Sequence, residues 1–437
     1  MHDSVAPPLA STSALPRTLG LGALWLLIVN GMIGAGIFGI PAEAARLAGA
    51  FSPLLFLLTA VLIAPVMLCF AELASATRES GGPARYVRVA FGPMAGFQTG
   101  WALYVARLTA LAANFNLLVS ALAHFWPGLG EGLPRVLMLA VLSALLALLN
   151  IVGVRAAVRS IGVLTAGKLF PIALLALLGV WQWAQIAQPV LTPSLLPDAS
   201  AQSGAAVLLM IYAYVGFESG LIPGGEARAP QRDMPRALLA SLLICGVLYA
   251  LMQSVCLALL PDLAQTDRPL VALGALLLGP FGAGFVLIAI VFSVGGNLLG
   301  SVFSVPRISH AMARDGELPA AFGSVSARFG TPVFSIAFYS TLGWALAATG
   351  SFVLLAALSV LVRLLIYLAC VAAVPAVRRQ ASDDSWRLRG GPILPTLAVA
   401  FCLGLLTQVS RESVFATIVL LGCGSALYLL AQRRRRR

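Results

Sequence analysis

The chain has 437 residues, 60% of them hydrophobic and only 10% charged, with a mean hydropathy of +0.95. Soluble chains carry about 25% charged residues, so a soluble enzyme, a disordered protein and a nucleic-acid module on a globular scaffold are excluded, and continuous apolar runs exclude a porin-type barrel. The net charge of +12 is spread over short loops between apolar spans, which leaves an all-α polytopic membrane protein.

In chain order, residues 1–19 read as a polar cytoplasmic tail holding Pro7, Pro8 and Pro16, without the basic start and cleavage site of a signal peptide. Twelve apolar segments follow, at 22–48, 53–75, 92–122, 134–152, 160–183, 203–222, 237–260, 276–305, 332–348, 352–376, 392–408 and 413–431. A helix needs about 20 apolar residues to cross a bilayer. Of the 28 Lys and Arg, 21 fall in one set of loops and tails, from Arg17 through Arg78, Arg155, Arg228, Arg314 and Arg378 to the terminal run Arg433–Arg437. The opposite loops hold only Arg135, Arg268 and Arg411. The positive-inside bias then puts both termini in the cytoplasm, in the cytoplasmic membrane, with the terminal arginines facing anionic lipid rather than nucleic acid.

The first span reads Asn30-Gly31-Met32-Ile33-Gly34-Ala35-Gly36-Ile37-Phe38-Gly39-Ile40-Pro41. Each glycine costs about 1 kcal/mol relative to alanine inside a helix, so a continuous helix is not expected here. The sixth span carries a second interruption, Tyr212-Ala213-Tyr214-Val215-Gly216-Phe217-Glu218-Ser219-Gly220, followed by Pro223-Gly224-Gly225. These are the first spans of two five-span halves. Paired broken helices at corresponding positions point to a transporter whose half-helix ends receive an anion and whose unwound carbonyls receive a cation. Close packing through small residues is the competing explanation for either cluster alone.

Four ionisable groups lie at membrane depth and need partners. Lys168, the only lysine, sits in the fifth span. A guanidinium stays charged, whereas a desolvated lysine can give up its proton. Arg107 and Arg363 lie in the third and tenth spans, and Glu218 is expected to pair with one of them, Arg107 being the first choice. Glu43 and Arg46, one turn apart, read as an interfacial pair. The six cysteines and three histidines show no paired or ligand spacing, so neither disulfide, metal nor cofactor is expected, and no catalytic constellation appears. Tyr104 and Tyr214 are the aromatic candidates for substrate contact.

At these motifs the sequence resembles the amino acid–polyamine–organocation (APC) transporters. Gly34-Ala35-Gly36-Ile37-Phe38 is similar to that family's first-helix G-S/T-G-I-F. Glu72-Leu73-Ala74 with Gly81-Gly82-Pro83 and Tyr86 resembles its E-L-A … G-G-x-Y, and Tyr212 to Glu218 its F-A-Y-x-G-F-E. Glu226 to Leu238 and Ala311 to Pro319 resemble its two cytoplasmic segments. The resemblance, strongest over residues 20–380, implies twelve transmembrane helices in a 5+5 inverted-repeat, leucine-transporter-like core with discontinuous helices 1 and 6, plus two peripheral helices. It divides the chain into repeats at 20–185 and 203–380, peripheral helices at 390–431 and a basic tail at 432–437.

The resemblance further implies an amino acid substrate. Ile33, Gly34, Ala35, Gly36 and Ile37 would meet its carboxylate through backbone N–H groups. Tyr214, Val215 and Gly216 would meet its ammonium through backbone carbonyls, Phe217 would act as a gate above the site, and Glu218 would belong to the same site, with Arg107, Glu218 and Arg363 as a gate or charge pair. Ala35 replaces the family's Ser or Thr and removes a hydroxyl. Lys168 resembles a fifth-helix lysine of some proton-coupled members, and Gly295, Gly296 and Asn297 stand where sodium users carry hydroxyls. The implied function is proton-coupled symport of an amino acid, a neutral side chain being expected from the small pocket. The alternatives are an uncoupled amino acid or amine exchanger on the same fold and a non-transporting receptor.

Overall fold

The computed structural model describes residues 19–76, 82–152, 161–186, 191–196, 202–221, 227–381, 385–388 and 390–435. The tail to residue 18, Arg78, Gly81, Arg155, Arg159, Pro223 to Glu226, Arg389, Arg436 and Arg437 lie outside the described residues. What is described is helical, without strands beyond one isolated parallel bridge between Leu19 and Ala227.

The first span forms three pieces, α1 (Leu21–Met32), α2 (Gly36–Gly39) and α3 (Pro41–Ala48). Then come α4 (Ser52–Ala76), α5 (Gly82–Phe91), α6 (Pro93–Leu122), α7 (Gly132–Val152) and α8 (Ile161–Gln185). The sixth span is likewise split, into α9 (Ser203–Tyr214) and α10 (Glu218–Leu221). The chain continues with α11 (Pro230–Leu259), α12 (Pro269–Arg314), α13 (Val333–Thr349), α14 (Phe352–Gln380), α15 (Ile393–Leu406) and α16 (Arg411–Arg435). Ten stretches among the described residues are long and apolar enough to cross a membrane, while α13 and α15, at 17 and 14 residues, are shorter than that.

Two elements differ from the sequence expectation. Gly82–Phe91 is a helix rather than a loop: proline occupies an early position, where its missing N–H costs nothing, and Tyr86 and Val87 are buried. The eighth span extends to 46 residues because a kink at Gly279 (φ +64°) and Pro280 joins a preceding helical stretch to it. Only glycine adopts that φ cheaply.

Contacts fix the two ends of the bundle. At one end, here the basic face, Arg88 meets Glu317 at 2.6 Å and Arg378 meets Glu72 at 2.5 Å. Leu388 N–H also donates to Glu72, at 3.3 Å. At the opposite face Arg135 bonds Asn116 and reaches the carbonyl of Ala347 at 3.1 Å, tying α6 and α7 to the α13–α14 turn. Arg46 pairs with Glu43 on that half. The α6 and α9 helices are mostly buried, whereas α7 and α16 expose most of their apolar surface, as helices that face lipid do. The two broken helices therefore run through the interior.

Candidate functional site

The breaks in the first and sixth spans share one geometry. The first helix ends at Met32, with Ile33 extended (φ −79°, ψ 98°). The second ends at Tyr214, with Val215 extended (φ −75°, ψ 162°). Gly216 then takes φ +104°, a conformation that side chains rarely tolerate. Gly31 and Gly216 lie backbone to backbone, and a Cβ on either would overlap the other's carbonyl. The glycines thus let the two interruptions touch.

An interrupted helix leaves carbonyls without their usual partners, and in a membrane each needs a substitute. Lys168 supplies two. Its ammonium donates to the carbonyls of Asn30 and Ile33, each at 2.7 Å. Tyr249, on α11, offers one more donor to two carbonyls: its hydroxyl lies 3.1 Å from the Met32 carbonyl and 3.0 Å from that of Ala213, so one side chain spans both breaks. Four residues on, and therefore on the same helix face, Gln253 donates to Pro41 O at 3.1 Å and to Ser52 Oγ at 2.9 Å. At the second break Gly216 N–H donates to Glu218 Oε2 at 2.8 Å.

The buried charges adopt a different pairing from the one expected. Glu218 pairs with Arg363, Nε to Oε1 at 3.3 Å, and Tyr367 donates to the same oxygen at 2.7 Å. Glu218 and Arg363 are each at most 2% exposed. Arg363 is held further by Ser359 and by the Ala106 carbonyl at 3.3 Å. Arg107 bonds the Ser219 hydroxyl instead. The physical reason is that α14 brings Arg363 and Tyr367, one turn apart, to the same carboxylate from one helix face.

Beside the breaks lies a cavity of about 370 Å³. Its lining extends from Asn114 and Tyr212 to Leu27 and Ile308, and Ile308 is within two turns of the basic end of α12. The cavity thus runs toward the basic face. On the other side the rings of Tyr212 and Phe352 meet edge to face at 5.7 Å.

Of the residues singled out in the sequence, Gly34, Ala35, Gly36, Val215, Gly216, Gly296, Arg107 and Arg363 line this cavity. Lys168 stands behind α1, on the carbonyls, rather than in the lining. Gly295 is outside the lining, while its neighbours Gly296 and Asn297 are within it. Ile33 and Ile37 are buried. The Tyr214 hydroxyl points away, donating to Phe56 O at 2.7 Å. Tyr104 stacks on Trp101 at 5.2 Å. Phe217 is fully buried, with Phe70 at 5.4 Å and Tyr367 at 5.6 Å, and so forms an aromatic packing layer next to Glu218 instead of capping the cavity.

The N–H groups of Ala35, Gly36 and Ile37 have no backbone acceptor among the described residues, because they open the short helix that follows the break. The cavity therefore has free amide donors at one break and extended backbone at the other. Sequence reasoning missed Tyr249, Gln253 and Tyr367, each a single polar side chain in an apolar span; the only available signal was the membrane cost of an unpartnered polar group.

A profile of the family described as amino acid permease matches residues 19–422. The chain belongs to the amino acid permease family. Among similar proteins, the serine/threonine exchanger SteT of Bacillus subtilis is 28% identical, over 97% of this chain and 98% of its own length. The branched-chain amino acid permease BcaP of the same organism is 26% identical, over 99% and 97%. The large neutral amino acids transporter small subunit 2 of Oryctolagus cuniculus is 28% identical, over 74% and 63%. This permease is accordingly a multi-pass membrane transporter for amino acids and not an enzyme.

Proposed function

We propose that this permease is a secondary transporter that carries an amino acid by alternating access through the cavity beside the two breaks, coupled to protons exchanged at Lys168. The observation that carries the reading is the pair of 2.7 Å bonds from Lys168 to Asn30 and Ile33. A protonated ammonium offers three donors and a full charge to those carbonyls. Loss of the proton weakens that hold and frees the first-helix break to move. The glycines at 295 and 296 offer no hydroxyl to a sodium ion, which favours the ammonium as the coupling cation.

The same reading includes two inverted five-helix repeats at 20–185 and 203–380, peripheral helices at 390–431, and tails at 1–19 and 432–437. Matched extended caps at Ile33 and Val215 support the repeat relationship. The basic face is the cytoplasmic one in this assignment, following the distribution of arginine. The cavity, running toward that face and closed beyond Tyr212 and Phe352, then belongs to an inward-facing state. The substrate α-carboxylate meets the N–H groups of Ala35, Gly36 and Ile37, and its ammonium meets the backbone carbonyls from Tyr214 to Gly216.

Uptake of labelled amino acids into proteoliposomes, with and without an inward proton gradient, tests the proposal. Accumulation above equilibrium only with the gradient is the expected result. The likeness to a serine/threonine exchanger along nearly the whole chain favours uncoupled exchange as the second reading. Exchange against preloaded amino acid with no response to the gradient would establish that reading and remove proton coupling.

A further inference from the structure

The cavity wall holds two guanidiniums, and the carboxylate that acts on both is that of Glu218. Arg107 and Arg363 both line the cavity, from α6 and α14. Glu218 is shared between them: Arg363 and Tyr367 approach its Oε1, Gly216 N–H donates to its Oε2, and its charge also acts on Arg107. Glu43, Glu72 and Glu317 are paired with Arg46, Arg378 and Arg88. The hydrogen bond described for Arg107 goes to the neutral Ser219 hydroxyl, not to a carboxylate oxygen. A guanidinium does not shed its proton in proteins, and an excess cation at membrane depth is costly. Arg107 is half-buried, with its remaining access into the cavity. One carboxylate against two guanidiniums leaves one positive charge for what the cavity binds to balance.

The placement says which charge that is. The free amides at Ala35, Gly36 and Ile37 lie after the first break. Arg107 is anchored before it, since Ser219 sits beside Gly31. These are two separate receivers for negative charge on one cavity, one made of backbone donors and one of a planar fork suited to a carboxylate. Val215, where the backbone is extended, and Gly216 lie with them in the same lining.

We propose that the substrate is an amino acid with an anionic side chain, its second carboxylate seated on Arg107. This rests on the cavity being the amino acid site. A neutral side chain, which the small Gly34-Ala35-Gly36 wall suggested, would leave Arg107 and Arg363 sharing the single Glu218 carboxylate in the loaded state. An acidic one neutralises Arg107 and replaces the Ser219 contact with a charge-assisted bond.

The test is counterflow in proteoliposomes with labelled glutamate and aspartate against their amides, glutamine and asparagine, for the wild type and for Arg107→Met and Arg107→Lys. The wild type should carry an acid at least tenfold better than the matching amide. Arg107→Met should lose that preference while keeping or gaining the amide, and Arg107→Lys should retain part of it. Wild-type transport of neutral amino acids that aspartate and glutamate neither compete with nor replace would overturn the inference and leave the transport reading intact. Acid uptake unchanged in Arg107→Met would also overturn it. Movement of no amino acid of either class would remove both readings. Wild-type selectivity alone decides the matter if a variant fails to fold.

Discussion

Lys168 and Ile33 meet at 2.7 Å, ammonium to carbonyl, at the residue where the first broken helix ends. The same ammonium holds Asn30 O, so one side chain from α8 replaces two bonds that a continuous helix would have made for itself. That places the lysine on the break without placing it in the cavity lining.

Lys168→Ala should abolish gradient-driven accumulation while leaving counterflow measurable. It should also lower the thermal stability of the detergent-solubilised protein, since each carbonyl left unpaired costs about 1–3 kcal/mol. Parallel uptake and thermal-shift measurements check both. Undiminished accumulation against a gradient in this variant would end the coupling role.

Tyr249→Phe removes the one hydroxyl that Met32 O and Ala213 O share. With no change in shape, the expected effect is a loss of about 1–3 kcal/mol and reduced uptake. Gln253→Leu, which disturbs the α3 end of the same face, should act in the same direction. A Tyr249→Phe protein with wild-type melting and uptake would show that the two breaks do not depend on this bridge.

The breaks that these side chains serve were legible in the sequence, because glycine density at Gly31 to Gly39 and at Gly216 to Gly225 is costly in a helix and serves no other plain purpose at both places. Lys168 stood out as the one lysine among arginines. The partner of Glu218 was not legible. Arg107 and Arg363 are equivalent as single charges in apolar spans, and the choice between them is made by Tyr367 and Ser359 beside Arg363 on α14, a packing relationship across 149 residues for the tyrosine. Tyr249 and Gln253 stayed hidden for the same reason: one polar group in an apolar span announces that it needs a partner but not which one. The helix at Gly82–Phe91 was concealed by its opening Gly-Pro, which reads as a turn until the burial of Tyr86 and Val87 is known.

Glu218→Gln should be severely destabilising, by about 3–5 kcal/mol, because removal of one partner leaves a buried charge unpaired. Here it leaves Arg363 and Arg107 on one cavity wall with no acid between them. Adding Arg363→Met to Glu218→Gln should recover much of the loss, and the double-mutant cycle in chemical or thermal unfolding measures the coupling. A mild single-mutant effect would mean that the Glu218–Arg363 pair contributes little.

Gly31→Ala and Gly216→Ala should each abolish transport, since a Cβ at either position meets the facing carbonyl, and Gly216 also holds φ +104°. Gly22→Ala, on the same first helix but with open space around its Cβ position, should be tolerated. Expression, melting and uptake of the three variants provide the comparison. Normal uptake by Gly31→Ala would contradict the contact between the breaks.

The account turns on protons moving with the amino acid through the Lys168 gate. The most direct measurement is the pH inside proteoliposomes, read with a trapped dye, when a transported amino acid is added outside at equal pH on both sides. The account predicts acidification of the lumen for the wild-type protein and none for Lys168→Ala. Entry of labelled amino acid into wild-type vesicles with no change in lumenal pH, or equal acidification by the Lys168→Ala protein, would contradict it.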